Sequence, residues 1–364
     1  MKQIKRITAI ALAIVMLFSL ASCSLVNASE TDITNDNIKI GVILNGTQED
    51  VSGSAGICNT TIKELTDLGY GIKYDRFKFI ENVDPTNAGA VADAYKTLVN
   101  FECNIIIASD SGYMDDTLAV ADANPSILFL VPGVQGNGKN ICSYNANITG
   151  ASYLAGIAAG LKAAELKIPK LGYIIRSEKD LSTLNAFFMG AKSVNPAVTA
   201  SVITAGDDTA TAAQKLVTDG CVVIASDFGD EAIAKAAADS KVFFCGFGTE
   251  AFSEEDYENA FLCAPLYSFT QFFIDTFKTV IDYEIPENAS ADTIALQLII
   301  KDGLLKDYNG GYATGAAYLS DVNPLTAAEG SREAVRKAAD QILKGELKFE
   351  ISASVPEAGI TIVK

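Results

Sequence analysis

The sequence predicts an α/β protein made of two doubly wound lobes, and three observations favour this class. The chain has 364 residues, enough for about two domains. From residue 38 onward, short apolar runs alternate with amphipathic stretches, the pattern of βαβ units with a parallel sheet. The pattern then repeats over a second stretch of similar size. Each lobe should therefore hold a sheet with helices on both faces.

The first lobe is predicted from apolar runs such as NIIIAS at 104–109, each followed by an amphipathic stretch. Strands that are buried on both faces are apolar along their length, as these runs are. The predicted strands cover 38–44, 71–79, 104–109 and 126–131. Three helices are predicted: one that ends near residue 68, one over 87–99 and one over about 113–123.

The second lobe repeats the architecture without a detectable sequence repeat. Its predicted strands are 171–176, about 198–203, 221–226 and 242–247, and its predicted helices are 148–165 and about 180–193, 209–219 and 229–239. An apolar region over 264–300 and a charged stretch over 331–345 are also predicted to be helical. We expect lobe one to comprise 38–145 plus about 266–284, and lobe two 146–263 plus about 285–364.

The composition argues against several functional classes. The formal net charge is −17, from 28 Lys and Arg against 45 Asp and Glu, whereas binding of a nucleic-acid backbone needs clustered basic residues. The chain has no histidine, which excludes a Ser-His-Asp triad, a Cys-His pair and every His-ligated zinc or iron site. No nucleic-acid partner and no metal are therefore expected.

The N-terminus predicts export and lipid attachment. A basic segment at 2–6 precedes an apolar run at 7–20, which is too short to span a bilayer comfortably but typical of a signal peptide. The run ends in Leu-Ala-Ser-Cys23, which resembles the lipobox of bacterial lipoproteins. The resemblance implies a signal peptide over 1–22 and acylation of Cys23, which would anchor the protein to the extracytoplasmic face of the cell membrane. Residues 23–37 are small and polar and predict a tether; an ordinary signal peptide or a short membrane anchor is the alternative.

Six further cysteines are scattered without a C-x-x-C spacing, and several lie in apolar runs such as CVVIAS at 221–226. Free cysteines in such runs usually act as small buried hydrophobic residues. A disulfide among them is left open, and a thiolate metal site is disfavoured. The residues concerned are Cys58, Cys103, Cys142, Cys221, Cys245 and Cys263.

One glycine-rich segment has the appearance of a phosphate-binding loop. GVQGNGKN at 133–140 is one residue short of a P-loop, and Asn140 stands where Ser or Thr would hold Mg²⁺. The residues that follow, ICSYN, predict a strand, whereas a phosphate loop needs a helix N-terminus. We therefore predict an ordinary turn. Since no G-x-G-x-x-G follows a strand either, no cofactor is expected.

The loops after the predicted strands hold the candidate binding residues. They are rich in hydroxyl groups, carboxylates and glycine, and three of them carry an aromatic residue. In a two-lobe α/β protein these loops meet in the cleft, where such groups suit a small polar ligand with a flat or sugar-like part. Helix caps and turns use the same residue types, so a structural role is the alternative. The loop candidates are Asp50, Ser52, Ser54, Asp110, Tyr113, Asp116, Arg176, Asp227, Phe228, Thr249 and Glu250.

Several segments together resemble the basic membrane protein family of substrate-binding lipoproteins, which includes bacterial purine-nucleoside receptors. ASYLAGIAAGL at 151–161 is the most specific; NIIIASDSGYMDD at 104–116, FFMGAK at 187–192 and VRKAADQILKGELKF at 335–349 also fit. The resemblance implies the type I periplasmic-binding fold, in which hinge strands join two Rossmann-like lobes. It also implies that a nucleoside is delivered to the permease subunits of an ABC transporter.

The resemblance further implies that two aromatic residues hold the base. Gly112-Tyr113 and Phe187 match the family's stacking positions, so Tyr113 and Phe187 are expected to sandwich a flat group from opposite lobes. In the first binding loop, Asp50 and Ser52 match the family pattern.

Other family positions are altered. The aspartate that grips the ribose hydroxyl groups aligns with Gly248, and Thr249 or Glu250 is the expected substitute. A family lysine near 264–268 is missing, and Tyr267 lies close to its position.

The sequence thus predicts a lipid-anchored solute-binding protein of an ABC transporter, which binds a nucleoside, nucleobase or similar solute and turns nothing over. A sensory receptor of the same fold is one alternative. A carboxylate-based glycosidase is another, and it would need two carboxylates about 5–10 Å apart across the cleft.

Overall fold

The first lobe alternates strands and helices. The computed structural model describes residues 33–34, 36–67, 72–133, 135–206, 208–249, 257–284, 286, 295–348 and 350–363. Strands β1 and β3 are buried along their whole length, as expected for strands covered on both faces. The elements are β1 (Ile40–Ile43), α1 (Gly53–Asp67), β2 (Phe77–Ile80), α2 (Ala88–Asn100), β3 (Ile105–Ala108), α3 (Met114–Ala123), β4 (Leu128–Pro132) and β5 (Ile141–Asn147).

The second lobe repeats this arrangement. Asp208 and Asp230 cap the N-termini of two of its helices by accepting hydrogen bonds from backbone N–H groups. Its elements are α4 (Thr149–Glu165), β6 (Lys170–Ile175), α5 (Ser182–Val194), β7 (Thr199–Thr204), α6 (Thr209–Thr218), β8 (Val223–Ser226), α7 (Glu231–Asp239), β9 (Phe243–Cys245) and β10 (Phe261–Cys263).

The C-terminal part of the chain contributes to both lobes. It comprises β11 (Pro265–Tyr267), α8 (Thr270–Ile281), α9 (Ala295–Lys301), β12 (Tyr308–Gly311), β13 (Ala317–Leu319), α10 (Ser331–Leu343) and β14 (Ile360–Val363). The first sheet has the order β12-β5-β4-β3-β1-β2 and the second β10-β9-β8-β6-β7-β14, with every pairing parallel. Strands β11 and β13 form an antiparallel pair between them. The chain therefore passes between the two sheets three times.

Two expectations about this C-terminal part need correction. Residues 265–267, expected to be helical, form strand β11. Of the segment 285–364, most of which was assigned to lobe two, β12 and α9 belong to lobe one, because β12 pairs with β5 of the first sheet and Leu296 and Ile299 of α9 pack in the lobe-one core. Strand β12 has the sequence YNGG, which shows no apolar run. It is a strand because its backbone pairs with β5, which lies far away in the sequence.

Helices α4 and α5 cross at backbone contact. A Cβ atom at Gly156 would lie 1.8 Å from the carbonyl oxygen of Phe187, and one at Gly190 would lie 1.9 Å from that of Tyr153. A side chain of any size is therefore excluded at both positions. This contact is the structural reason for the small residues of ASYLAGIAAGL.

Candidate functional site

A cleft of about 480 Å³ lies between the lobes, at the carboxyl ends of the parallel strands. Its volume falls within the range of roughly 300–1,000 Å³ that small-molecule sites occupy. Both lobes and the hinge strand β11 contribute to its walls. The lining residues are Asn45, Gly53, Ser54, Ile57, Asp110, Pro132, Tyr144, Asn145, Ala146, Arg176, Asp227, Phe228, Gly229, Phe247, Gly248, Tyr267 and Phe269.

Asp110 is the fixed carboxylate of the lobe-one wall. Its Oδ2 accepts hydrogen bonds from Asn45 Nδ2 at 3.0 Å and Ser54 Oγ at 2.9 Å, and its Oδ1 accepts from the Gly112 backbone N–H at 2.8 Å. These donors come from the ends of β1 and β3 and from α1, so three elements hold one side chain. The carboxylate is thus oriented before any ligand arrives, which lowers the entropic cost of binding.

Asp227 is the carboxylate of the lobe-two wall. Its Oδ1 accepts the Arg176 backbone N–H at 3.0 Å, and the Arg176 guanidinium lies over the Phe228 ring, 4.6 Å from its centroid. Burial raises the pKa of Asp227 from its ordinary value to about 6, although the contacts with Arg176 act in the opposite direction. Asp227 is therefore an ionised acceptor at neutral pH and becomes protonated in mildly acidic solution.

An aromatic wall lines the hinge side of the cleft. The rings of Tyr267 and Phe269 are stacked, with centroids 6.1 Å apart and planes 11° from parallel, and Phe247 meets Tyr267 edge-on at 6.0 Å. Tyr144 packs edge-on against Phe269 at 4.9 Å and donates its hydroxyl to the Ala108 carbonyl at 2.9 Å. Burial raises the pKa of both tyrosines. Flat apolar surface and two carboxylates thus face the same space.

Part of the candidate set predicted from the sequence meets in this cleft. The members concerned come from the loops after β1, β3, β6 and β8 and from the hinge. They are Ser54, Asp110, Arg176, Asp227, Phe228 and Tyr267.

Tyr113 and Phe187 do not lie in the cleft, contrary to the expected sandwich. Tyr113 is fully buried in the core beneath α2 and α3, and its hydroxyl donates to the Val83 carbonyl at 2.5 Å. Phe187 packs in the lobe-two core with its ring 5.3 Å from that of Tyr173. Each is an aromatic residue directed into its own lobe, where apolar burial stabilises it.

Three of the other candidates are not among the residues that line the cleft. Asp50 accepts hydrogen bonds from the backbone and hydroxyl of Thr47 at 2.9 and 3.1 Å, which closes the loop after β1. Asp116 lies in the first turn of α3, where a carboxylate is favourable next to the helix N-terminus. Thr249 is buried near Gly229, and Glu250 lies outside the described residues.

Ser52 lies at the contact between the lobes. A Cβ atom placed on Gly229 of lobe two would be 3.5 Å from the Ser52 Cβ of lobe one. Ser52 therefore faces lobe two from just outside the set of lining residues.

Sequence reasoning missed several lining residues. Asn45 directly follows the predicted strand 38–44, and Phe247 is the last residue of the predicted strand 242–247. Their positions at the ends of strands could have identified both as lining residues. Tyr144 and Phe269 gave no such signal, because Tyr144 lies within β5 and Phe269 directly precedes α8, and both rings belong to the core of lobe one. Asn145 became recognisable only through the geometry of β5.

The glycine-rich segment at 133–140 is contacted at Gly136 by the carboxylate of Asp307. The Asp307 carboxylate accepts hydrogen bonds from the Gly136 N–H at 3.1 Å with each of its oxygens, and from the Ser143 N–H at 2.8 Å. It takes one backbone donor of this segment, and the strand β5, which begins at Ile141, stands where a phosphate loop needs a helix N-terminus. Within the described parts of the chain, no group of three or more cysteines and carboxylates is arranged to hold a metal ion.

This cleft between two parallel-sheet lobes is the arrangement of ABC transporter solute-binding proteins. A solved solute-binding protein from Conexibacter woesei superposes with a TM-score of 0.62 over 86% of this chain and 99% of its own, at 16% identity, so the two share the type I periplasmic-binding fold. A protein from Haloferax volcanii described as an ABC transporter glucose-binding protein is 27% identical over 308 residues, 79% of this chain and 71% of that protein. A purine-binding protein from Brucella abortus is 27% identical over 212 residues, 56% of this chain and 58% of that protein.

The family model described as ABC transporter substrate-binding protein, PnrA-like, matches residues 38–253, more than half of the chain. The chain belongs to this family. Its members are substrate-binding components that act outside the cytoplasm, not enzymes. Among the residues that the structure describes, no helix combines the length and apolar character needed to cross a membrane.

Proposed function

We propose that the solute is a nucleoside or a nucleobase, bound between the lobes and passed to the permease subunits of an ABC transporter. The observation that carries this proposal is one cleft in which stacked Tyr267 and Phe269 face Asp110 and Asp227 from opposite lobes. Stacking on a base contributes about 1–3 kcal/mol per ring. Ionised carboxylates accept hydrogen bonds from ring N–H and sugar hydroxyl groups. The purine-binding relative supports the same class of solute.

The charges of the cleft favour a neutral solute over a nucleotide. Among the described residues that line it, the charged side chains are Asp110, Asp227 and Arg176. A phosphate would face one more carboxylate than guanidinium, and like charges in a partly desolvated site are unfavourable. Nucleosides and bases should therefore bind more tightly than nucleoside monophosphates.

The sugar of a nucleoside should contribute little. Gly248 stands where the family resemblance places the aspartate that grips the ribose, and it lines the cleft, where a Cβ atom built on it would meet nothing within 4 Å. Without that carboxylate, free bases are expected to bind about as well as nucleosides.

A hexose is the second candidate solute. Asn45, Asp110 and Arg176 present the amide, carboxylate and guanidinium groups that hydrogen-bond to hydroxyl groups, beside an aromatic face. The glucose-binding description of the Haloferax relative supports this alternative.

Thermal unfolding with a panel of solutes separates the candidates. A ligand present at about 100 times its Kd stabilises the folded state by about 2.7 kcal/mol, which raises Tm by several degrees. Adenine, guanine, their nucleosides, the 5′-monophosphates, hexoses and amino acids form the panel. Shifts with purine bases and nucleosides support the proposal, whereas shifts with hexoses alone favour the second candidate and shifts with amino acids alone contradict both.

Two further measurements address the other classes of function. The best solute, recovered after incubation and measured by mass spectrometry, should be chemically intact; released base or sugar would favour the glycosidase. Cells that lack the protein should lose uptake of that solute, because transport depends on the binding component. Unchanged uptake with a lost transcriptional response would favour a sensory receptor.

We also infer that lipid on Cys23 holds the protein at the extracytoplasmic face of the membrane, with residues 23–37 as the tether. Both lie outside the described residues, apart from 33–34 and 36–37. The lipobox-like sequence and the family's location outside the cytoplasm support this inference.

A further inference from the structure

Two buried cysteines lie side by side in the sheet of lobe two. Strands β9 and β10 are parallel neighbours, and Cys245 is paired with Cys263. The register shifts between Phe261 and Cys263, and this irregularity brings Cys263, rather than Leu262, opposite Cys245. Their Sγ atoms are 4.0 Å apart, and both residues are at most 2% exposed.

The spacing of the strands fits a covalent link. Neighbouring strands lie about 4.8 Å apart, and Cys245 and Cys263 both belong to the same core cluster of lobe two, so their side chains point to the same face of the sheet. A disulfide needs Cα atoms roughly 4.4–6.8 Å apart. At this strand spacing, rotation about the Cα–Cβ bonds is the movement that would close the 4.0 Å between the sulfurs.

We propose that Cys245 and Cys263 form a disulfide when the chain folds outside the cytoplasm, where a dithiol–disulfide oxidant accepts the electrons. One cysteine thiolate attacks a sulfur of the oxidant's disulfide, which forms a mixed disulfide and releases one oxidant thiol. The second thiolate attacks the protein sulfur of that mixed disulfide, which forms the Cys245–Cys263 bond and releases the other thiol. The protein loses two protons and two electrons, and the oxidant is reduced to its dithiol.

The bond should form during folding, before the sheet closes over the sulfurs. In the folded protein the hydrogen bond with Cys263, together with burial, raises the pKa of Cys245 well above its usual range. The thiolate is the attacking species, so the folded dithiol should react slowly. The same burial should protect the disulfide from reduction once it has formed.

The link would tie together the bases of two cleft segments. Cys245 precedes 246–248, which carries Phe247, and Cys263 precedes Ala264 and the hinge strand with Tyr267. The bond would join residues 18 positions apart and restrict the unfolded chain, which stabilises the folded lobe.

Peptide mapping after refolding tests the proposal. The full chain is unfolded and reduced, then refolded either with a mixture of oxidised and reduced glutathione or with reduced glutathione alone, and its free thiols are alkylated in denaturant. Cleavage after Lys and Arg gives the peptide 242–278, which contains both cysteines and no other. After oxidative refolding this peptide should be unalkylated and lighter than the dithiol by two hydrogens. After reductive refolding both cysteines should be alkylated, and Tm should be several degrees lower.

Matched variants identify the bond. C245S should leave Cys263 open to alkylation and make Tm insensitive to the redox buffer, whereas C221S, which removes another buried cysteine of lobe two, should retain the bond. As a second measurement, chain exported to an oxidising compartment and alkylated at harvest should give the same bridged peptide without an unfolding step. Alkylation of both Cys245 and Cys263 in that exported protein, or a bond from either to a different cysteine, would overturn the proposal.

Discussion

The carboxylate of Asp227 lines the cleft and is largely buried. Its burial links the stability of the protein to pH. Its pKa rises from an ordinary value of 3.8 to about 6 in the folded protein, chiefly through desolvation. Between these two values the folded state binds more protons than the unfolded state. The contribution of Asp227 to stability is therefore fully present below the unfolded pKa and is lost as the pH rises through about 6.

Asp227→Asn should remove this part of the pH dependence. Above pH 7 the variant should be more stable than the wild type by roughly 1–2 kcal/mol, because a neutral amide escapes the desolvation penalty of the charge. Urea unfolding at pH 4.5, 6 and 7.5 measures the slope. Asp93→Asn, which changes an exposed carboxylate of α2, is the control and should keep the wild-type slope. An unchanged slope in Asp227→Asn would contradict the assignment.

Tyr267 and Tyr113 offer a matched pair of tyrosines, one lining the cleft and one in the core. Tyr267→Ala should weaken binding of the best base or nucleoside by about 1–3 kcal/mol, the value of one stacked ring. Tyr113→Ala should lower the stability by about 3–5 kcal/mol, as for other large core residues, and leave the affinity of the remaining folded protein unchanged. Calorimetric titration and urea unfolding give the two quantities. A large loss of affinity in Tyr113→Ala alone would restore the sandwich model.

At the scale of elements, the α4–α5 crossing depends on the absence of side chains. Gly156→Ala would place a methyl group 1.8 Å from the Phe187 carbonyl oxygen, so the helices must move apart. Although alanine is the better helix former, overpacking of this kind typically costs about 1–3 kcal/mol. The measurement is again urea unfolding. Gly206→Ala is the control, since an added Cβ there meets nothing within 4 Å, and equal stabilities of the two variants would refute the backbone-contact argument.

The elements also show which parts of the fold a sequence can predict. Strands β1, β3 and β8 lie within continuous apolar runs, so burial on both faces made them recognisable. Strand β12, with two glycines, and the three-residue strand β11 have no pattern of their own, because their partners β5 and β13 determine them.

The same distinction applies to the site. Asp110 and Asp227 were predicted because polar residues after parallel strands must meet at one edge of the sheet. The errors at Tyr113 and Phe187 have a common cause: an aromatic residue near the end of a strand or on a helix can face either its own lobe or the cleft. Only the three-dimensional packing decides which, and here both rings enter the core.

For the whole molecule, the inferred lipid anchor predicts where the protein is found. Cys23→Ser should move it from the membrane fraction to the medium or periplasm, because each buried CH₂ of a lipid chain contributes about 0.8 kcal/mol to membrane binding. Fractionation with a salt wash, followed by immunoblotting, measures the distribution. Ser24→Ala, adjacent in the chain, is the control and should stay in the membrane fraction. Retention of the Cys23→Ser protein in washed membranes would show that another segment anchors it.

The positions of β12 and β14 in the sequence affect when each sheet can be completed during export. Each is an edge strand, one of the first sheet and one of the second, and both come from the part of the sequence after residue 307. If the chain is exported N-terminus first, the first sheet is complete only after residues 308–311 have crossed the membrane, and the second only after 360–363. Until then β5 and β7 present open edges, which invite pairing with other chains. A chain that stops before residue 308 would therefore lack an edge strand in both lobes at once.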